Sequence, residues 1–153
     1  MMQQTTEIDI ATEADIPELC SLLDSLFSQE AEFSPDHAAQ TRGLGMIIKN
    51  PAVGHILLAR HAGRIVAMVN LLYTVSTALG ERVVLLEDMV VTATERGRGT
   101  GSQLLQAAID FARRQGCKRI TLLTDSDNTA AQHFYRKHGF TLSSMIPLRL
   151  SLE

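Results

Sequence analysis

The sequence predicts an α/β fold built on a mixed sheet, and three observations carry that prediction. Strand-like periods fill residues 55–91, where turn signals make successive strands antiparallel. Helical periods lie on both sides of that region. Between them, Val83–Gly116 reads as strand, glycine-rich loop and helix, and another apolar run follows. Two strands joined by a crossover helix are parallel neighbours, so the sheet mixes both senses.

Glu7–Ala11 alternates polar and apolar and predicts a short strand. Asp15 is positioned to cap a helix whose first turn accepts Pro17. Ile16, Leu19, Cys20, Leu23, Leu26 and Phe27 then recur at helical spacing through about Gln29. Ser34-Pro35 starts a second helix, to about Lys49, whose weaker apolar face predicts a surface position. Gln29–Asp36, between the helices, carries Glu30, Glu32 and Asp36; it either attracts a cationic substrate or is a solvated loop.

His55–His61 and Arg64–Tyr73 flank the hairpin signal Ala62-Gly63. Val75–Gly80 connects to a further strand, Glu81–Val91. Its core, Val83–Val91, is interrupted only by Glu87 and Asp88, which fits a strand covered on both faces. On Ser102–Gln115, Leu104, Leu105, Ala108 and Ala112 share one helix face, and Gly116 is a stop. Lys118–Thr124 predicts a buried strand, and Asp125–Asn128 a polar loop. Thr129–Lys137 predicts a short helix stopped by Gly139. Phe140–Leu142 and Met145–Leu152 are expected to close the sheet as two final strands. With no internal repeat or linker, residues 1–153 are expected to form a single domain.

Bulk properties narrow the function. A chain of 153 residues, 45% hydrophobic, can bury one core and is not globally disordered. A net charge of −3 argues against non-specific nucleic-acid binding. Cys20 and Cys117 form no C-x-x-C pattern and are expected to be reduced thiols. The start, MMQQTTEIDI, lacks the basic segment and apolar core of a signal peptide. No apolar run approaches the ~18 residues of a membrane span. The expectation is a soluble, cytoplasmic protein. His37, His55, His61, His133 and His138 show no metal-ligand spacing, so no metal is expected. His133 lies two residues from Tyr135 on a helix and so faces elsewhere, as a surface residue.

The loop Arg96-Gly97-Arg98-Gly99-Thr100-Gly101 puts three glycines and two guanidinium groups at a helix N-terminus. Orphan N–H groups, the positive dipole end and minimal side chains make an anion site there, read as a diphosphate cradle. A Walker-type loop fails, because no Lys-Ser or Lys-Thr pair occurs. A dinucleotide fingerprint is approached by Gly97, Gly99 and Ser102, with Asp125 after the next strand. Five residues, Thr92–Arg96, separate strand from first glycine, however, and antiparallel strands precede the unit. The third pattern is Arg or Gln, two residues, Gly, one residue, then Gly or Ala, and Arg96–Gly101 matches it.

With LEDMVV before that hexapeptide and Asn128 followed by TAAQHFYRKHGF after it, the chain resembles the GNAT family of N-acetyltransferases. The resemblance covers nearly the whole chain in element order, β-α-α-β-β-β-α-β-α-β-β. It implies a mixed, mostly antiparallel sheet with helices on both faces and a parallel central strand pair that splays apart. It also implies direct transfer of acetyl from acetyl-CoA, the co-substrate, to an amine. The loop would bind the CoA pyrophosphate through its backbone. Gly97, Gly99 and Gly101 leave room, Arg96 and Arg98 add charge-assisted contacts or stay solvated, and Thr100 and Ser102 complete the stretch. The pantetheine arm would pair with the backbone of Met89, Val90 and Val91, as another strand would, at a bulge in the central strand. A backbone N–H there would meet the thioester carbonyl.

Tyr135 matches the family's tyrosine near the CoA sulfur, a general acid for the departing thiolate; its alternative is packing beside Phe134. Asn128 matches an asparagine that contacts the pantetheine or caps the helix. Deprotonating a lysine-like amine of pKa ~10.4 at pH 7 costs roughly 4–5 kcal/mol. Glu87 and Asp88 interrupt an apolar strand, where an unpaired charge is costly, so they are the candidate bases. On a regular strand they point to opposite faces, one to the acceptor and one to a structural partner. The polyamine-acetylating branch has a similar LED segment whose Glu lines the acceptor site, so Glu87 is the expected base, directly or through water. Asp88 is the second choice, and structural roles for both carboxylates are the alternative. The acceptor implied is a small cationic amine: a polyamine, an aminoglycoside or an amino-acid-like molecule. Protein N-termini or lysines, or a non-catalytic acyl-CoA sensor on the same fold, are the alternatives. Expected partners are the small-molecule amine and a homodimer mate, without nucleic acid or membrane.

Overall fold

The computed structural model describes residues 6–28 and 35–153. Its strands are β1 (Glu7–Ile10), β2 (Gly54–His61), β3 (Arg64–Ser76), β4 (Glu81–Val91) and β5 (Ile120–Leu122). Its helices are α1 (Ile16–Phe27), α2 (His37–Ile48), α3 (Thr100–Arg114) and α4 (Thr129–Lys137). One sheet runs in the order β1-β2-β3-β4-β5. The first three pairings are antiparallel and the last is parallel, as the crossover through α3 requires. The chain divides into two compact units, Met1–Leu123 and Thr124–Glu153.

In the first unit the strand period sorts residues onto two faces. Ile56, Leu58, Met68 and Val90 pack with Leu19, Cys20, Leu22, Leu23 of α1 and Leu44 of α2. The alternate residues Leu57, Ala59, Ala67 and Val69 are also buried, and α3 packs against β2 and β3. Leu104, Leu105 and Ala108 of α3 are fully buried. The β2–β3 turn has positive φ at both Ala62 and Gly63, 53° and 77°, the type I′ twist that suits a right-handed hairpin. The next hairpin is tighter than the sequence implied: Ser76 pairs with Glu81, so β3 absorbs Thr74 and Val75, whose branched side chains suit a strand.

Three local expectations change. Asp15 precedes α1, but its carboxylate turns back to accept from the Thr12 N–H at 2.8 Å and from Arg60 at 2.7 Å. Burial pushes this carboxyl up, yet the Thr12 and Arg60 contacts outweigh it and leave its pKa lowered. Asp36 caps α2, accepting from the Ala39 N–H at 3.1 Å; Ser34 and residues 29–33 of the acidic stretch lie outside the described residues. Finally, residues 140–152 form no strand. Leu148, Leu150 and Leu152 keep the strand period, but a strand also requires partner N–H and C=O groups. The second unit's regular structure is α4 alone, and these side chains are exposed.

Candidate active site

The glycine loop follows the single helical turn Ala93–Glu95. Gly97 and Gly99 take φ of 80° and 83°, a left-handed backbone that other residues adopt at a cost. A Cβ on either would meet nothing within 4 Å. These glycines therefore shape the main chain and leave open space above it, as a diphosphate requires. Gly99 is the N-cap of α3, and no side chain caps the helix there. The helix starts at Thr100, two residues earlier than the apolar face suggested, so Gly101 and Ser102 belong to its first turn. Thr100 is buried, and Arg98 is exposed. Arg96 is not simply solvated: its Nε donates to the Val91 carbonyl at 3.2 Å and ties the loop to the end of β4.

β4 is irregular where its carboxylates lie. Met68 is paired with Val90 but Asn70 with Glu87, so β4 carries one residue more than β3. That bulge centres on Asp88, whose φ is +55°. Beyond it, β4 leaves β5: the parallel pairing covers only Val84–Leu86 against Ile120–Leu122. Met89, Val90 and Val91 thus continue past the end of β5. Val90 is buried in the core, and the Thr92 N–H donates to the Val66 carbonyl at 2.8 Å.

The bulge overturns the expectation that Glu87 and Asp88 face opposite ways. Both line one cavity of about 320 Å³, together with Leu23 and Phe27 of α1, Ala39, Gln40, Gly43, Leu44 and Ile47 of α2, and Asn70 and Leu72 of β3. An extra residue resets the two-residue alternation, so consecutive side chains converge. Glu87 is exposed and Asp88 half-buried. Asn70, which sequence reasoning missed, is 3% exposed, and its Nδ2 donates to Asp88 Oδ2 at 2.6 Å. Its signal was present: it is the single polar residue in the run IVAMVNLLY. Between α1 and α2, His37 contacts Asp24, and the His37 and Gln40 hydrogen bonds hold the Asp24 pKa down against the smaller opposing effect of burial.

In the second unit Asn128 caps α4, its Oδ1 accepting from the Ala131 N–H at 3.0 Å. Tyr135 sits at the other end of that helix. The Phe140 N–H donates to the Tyr135 carbonyl and the Gly139 N–H to that of Arg136, a Schellman closure. It brings the Tyr135 ring against Phe140, centroids 5.6 Å apart, with Phe134 on another side at 5.2 Å. Burial pushes the Tyr135 hydroxyl up to about 12, so it stays protonated at neutral pH. His133 is exposed, as expected of a surface residue.

An acetyltransferase (GNAT) family model matches residues 16–140. The chain belongs to the GNAT acetyltransferase family. It is 32% identical over 118 residues to the uncharacterized N-acetyltransferase YhfO of Bacillus subtilis, covering 75% of this chain and 78% of that protein. It is 28% identical to the aminoalkylphosphonate N-acetyltransferase of Salmonella typhimurium, covering 90% and 86%. The fold is similar to that of aminoglycoside N-acetyltransferase AAC(6')-Iy in complex with CoA, with TM-score 0.82, 17% identity and coverage of 99% and 97%. This GNAT chain is therefore an N-acetyltransferase with acetyl-CoA as co-substrate. Among the described residues no three His, Cys, Asp or Glu side chains group to hold a metal, and no helix is long and apolar enough to cross a membrane. Cys20 and Cys117 are free thiols.

Proposed function

We propose that this acetyltransferase acts on the primary amine of a small cationic molecule, with Glu87 as base and Tyr135 as acid. The observation that carries the proposal is the bulge at Asp88, which gathers two carboxylates at one end of a small cavity on α1, α2 and β3. Such an end attracts an ammonium and offers an acceptor for its proton. The curated relative acting on aminoalkylphosphonates is in keeping with a small amine.

In the step proposed, Glu87 takes a proton from the ammonium, directly or through one water. The amine lone pair forms the N–C bond at the thioester carbon, and backbone N–H groups of Met89–Val91 stabilise the charge on its oxygen. The C–S bond then breaks, the sulfur takes a proton from Tyr135, and the second proton, shed by the new amide nitrogen, passes through water to the Tyr135 oxygen. Against a free thiol near ~8.5, a phenol at about 12 gives up its proton only as the charge on sulfur grows and the nitrogen's proton replaces it. Gly97, Gly99, Gly101 and the first turn of α3 hold the pyrophosphate, with Arg96, Arg98, Thr100 and Ser102 around them. Asn128 orders the start of α4.

Thiol release from acetyl-CoA, followed across a panel of amines, tests this. Release that depends on a small primary amine is the expected result. Heat of acetyl-CoA binding without release on any amine would leave only a sensor.

A further inference from the structure

Among the described residues, the cavity described above carries its charged groups on the β4 side only. Its walls are Leu23 and Phe27 from α1, Leu44 and Ile47 from α2, and Leu72 from β3. Gln40 also lines it, but its amide is committed elsewhere. Its Nε2 donates to the Cys20 carbonyl at 3.3 Å and to Asp24 Oδ1 at 3.1 Å, and its Oε1 accepts from the Asp36 N–H at 2.7 Å. Among the described residues, the other polar groups lining the cavity are those of its β3–β4 side: Glu87, Asp88 and Asn70.

Asn70 is the least ordinary of these. It is buried, stands in register with Glu87, and uses Nδ2 on Asp88. Because a carboxylate only accepts, that contact fixes which way the amide points. Its Oδ1 is then a buried acceptor with no hydrogen-bond partner. A buried carbonyl left unpaired is costly, and a ligand N–H would remove that cost.

Resting on the acyl-transfer reading of this same site, we propose that the cavity selects a primary amine carried on an apolar body, and that Asn70 is its specificity-determining residue. One arm of the Asn70 amide holds Asp88 in the bulge; the other, Oδ1, accepts from the substrate ammonium. An ammonium on carbon has three N–H donors, and Glu87, Asp88 and Asn70 Oδ1 supply three acceptors. A secondary ammonium has two N–H donors and forgoes one of these three contacts. A polyamine places its second charge against leucine and phenylalanine, where an unpaired charge is strongly disfavoured. An aminoglycoside sets hydroxyls against the same wall. The volume, about 320 Å³, is at the small end for ligand pockets.

The test uses the whole chain and four amines: phenethylamine, N-methylphenethylamine, spermidine and kanamycin. Phenethylamine is expected to have the lowest KM, about tenfold or more below the others. In Asn70→Leu its KM rises about tenfold, acetyl-CoA KM stays the same, and the advantage over the N-methyl compound disappears. Asn70→Ser, which keeps a small polar group, recovers part of that advantage. The amine series on the unmodified enzyme stands even if Asn70→Leu fails to fold. Spermidine or kanamycin as the best acceptor overturns the inference while leaving acyl transfer intact. So does an Asn70→Leu enzyme that loses acetyl-CoA and amine KM equally. Thiol release with none of the four, while acetyl-CoA binds, overturns it as well; absence of acetyl-CoA binding in addition removes the reading beneath it.

Discussion

At the start of α3 the groups offered to a ligand are main chain; in the cavity against β3 and β4 they are side chains. The loop depends on Gly97 and Gly99 having no side chain, and on a helix end left uncapped. The cavity depends on Asn70, Glu87 and Asp88 being brought together by a bulge between two strands. A diphosphate can thus be gripped by backbone shape that one short segment determines. The proposed recognition of an acceptor takes four separate elements and the identity of each side chain. The lesson is that cofactor grip and acceptor choice can be perturbed independently in this molecule.

The sharpest way to break the comparison is Gly99→Asp. Asp tolerates left-handed φ better than most residues, so the chain should still fold. A carboxylate about 4 Å from a diphosphate, at an effective dielectric near 20, costs about 4 kcal/mol, roughly a thousandfold in acetyl-CoA affinity. Calorimetry that finds affinity unchanged would remove the cradle. Tyr135→Phe comes next. It keeps the ring that packs on Phe140, so α4 should stay closed, while kcat falls roughly 10²-fold and acetyl-CoA affinity holds. A drop in affinity without a drop in kcat would contradict the acid role. Glu87→Gln should lower kcat by about tenfold or more, again with acetyl-CoA affinity intact. If Asp88→Asn does this instead, the two carboxylates exchange roles.

The smallest effect expected lies outside both regions. His55 Nδ1 contacts the Tyr73 hydroxyl at 2.6 Å, and its ring packs on Phe111. Burial, with help from the Arg82 charge, lowers the His55 pKa from its ordinary 6.5. The unfolded chain therefore takes up the proton first. Stability is full above about 6.5 and declines as pH falls from there towards the depressed folded value. Asp15 and Asp24 are lowered from 3.8, so their contributions are lost only at more acid pH. Denaturant midpoints measured across the higher window should change less with pH in His55→Phe, which keeps the ring contacts.

Local chemistry made most of the fold legible. β4 and α4 lie where their apolar runs and stops put them, because glycine closure and strand period act over a few residues. The glycine loop was legible for the same reason. The cavity was not. Glu87 and Asp88 were visible as charges in an apolar strand, but their convergence depends on a register shift against residues some twenty positions earlier. Asn70 was equally visible and meant nothing until that register placed it opposite Glu87. The final strands were misjudged because alternation describes a face and says nothing of whether a partner edge is at hand.

The +55° φ of Asp88 carries a consequence for anyone evolving this protein in the laboratory. Left-handed backbone costs a residue with a Cβ about 1–2 kcal/mol, and glycine almost nothing. A search for heat-resistant variants would therefore be drawn to glycine at this position. The sturdier proteins it returned would have discarded the carboxylate that Asn70 holds at the proposed acceptor site.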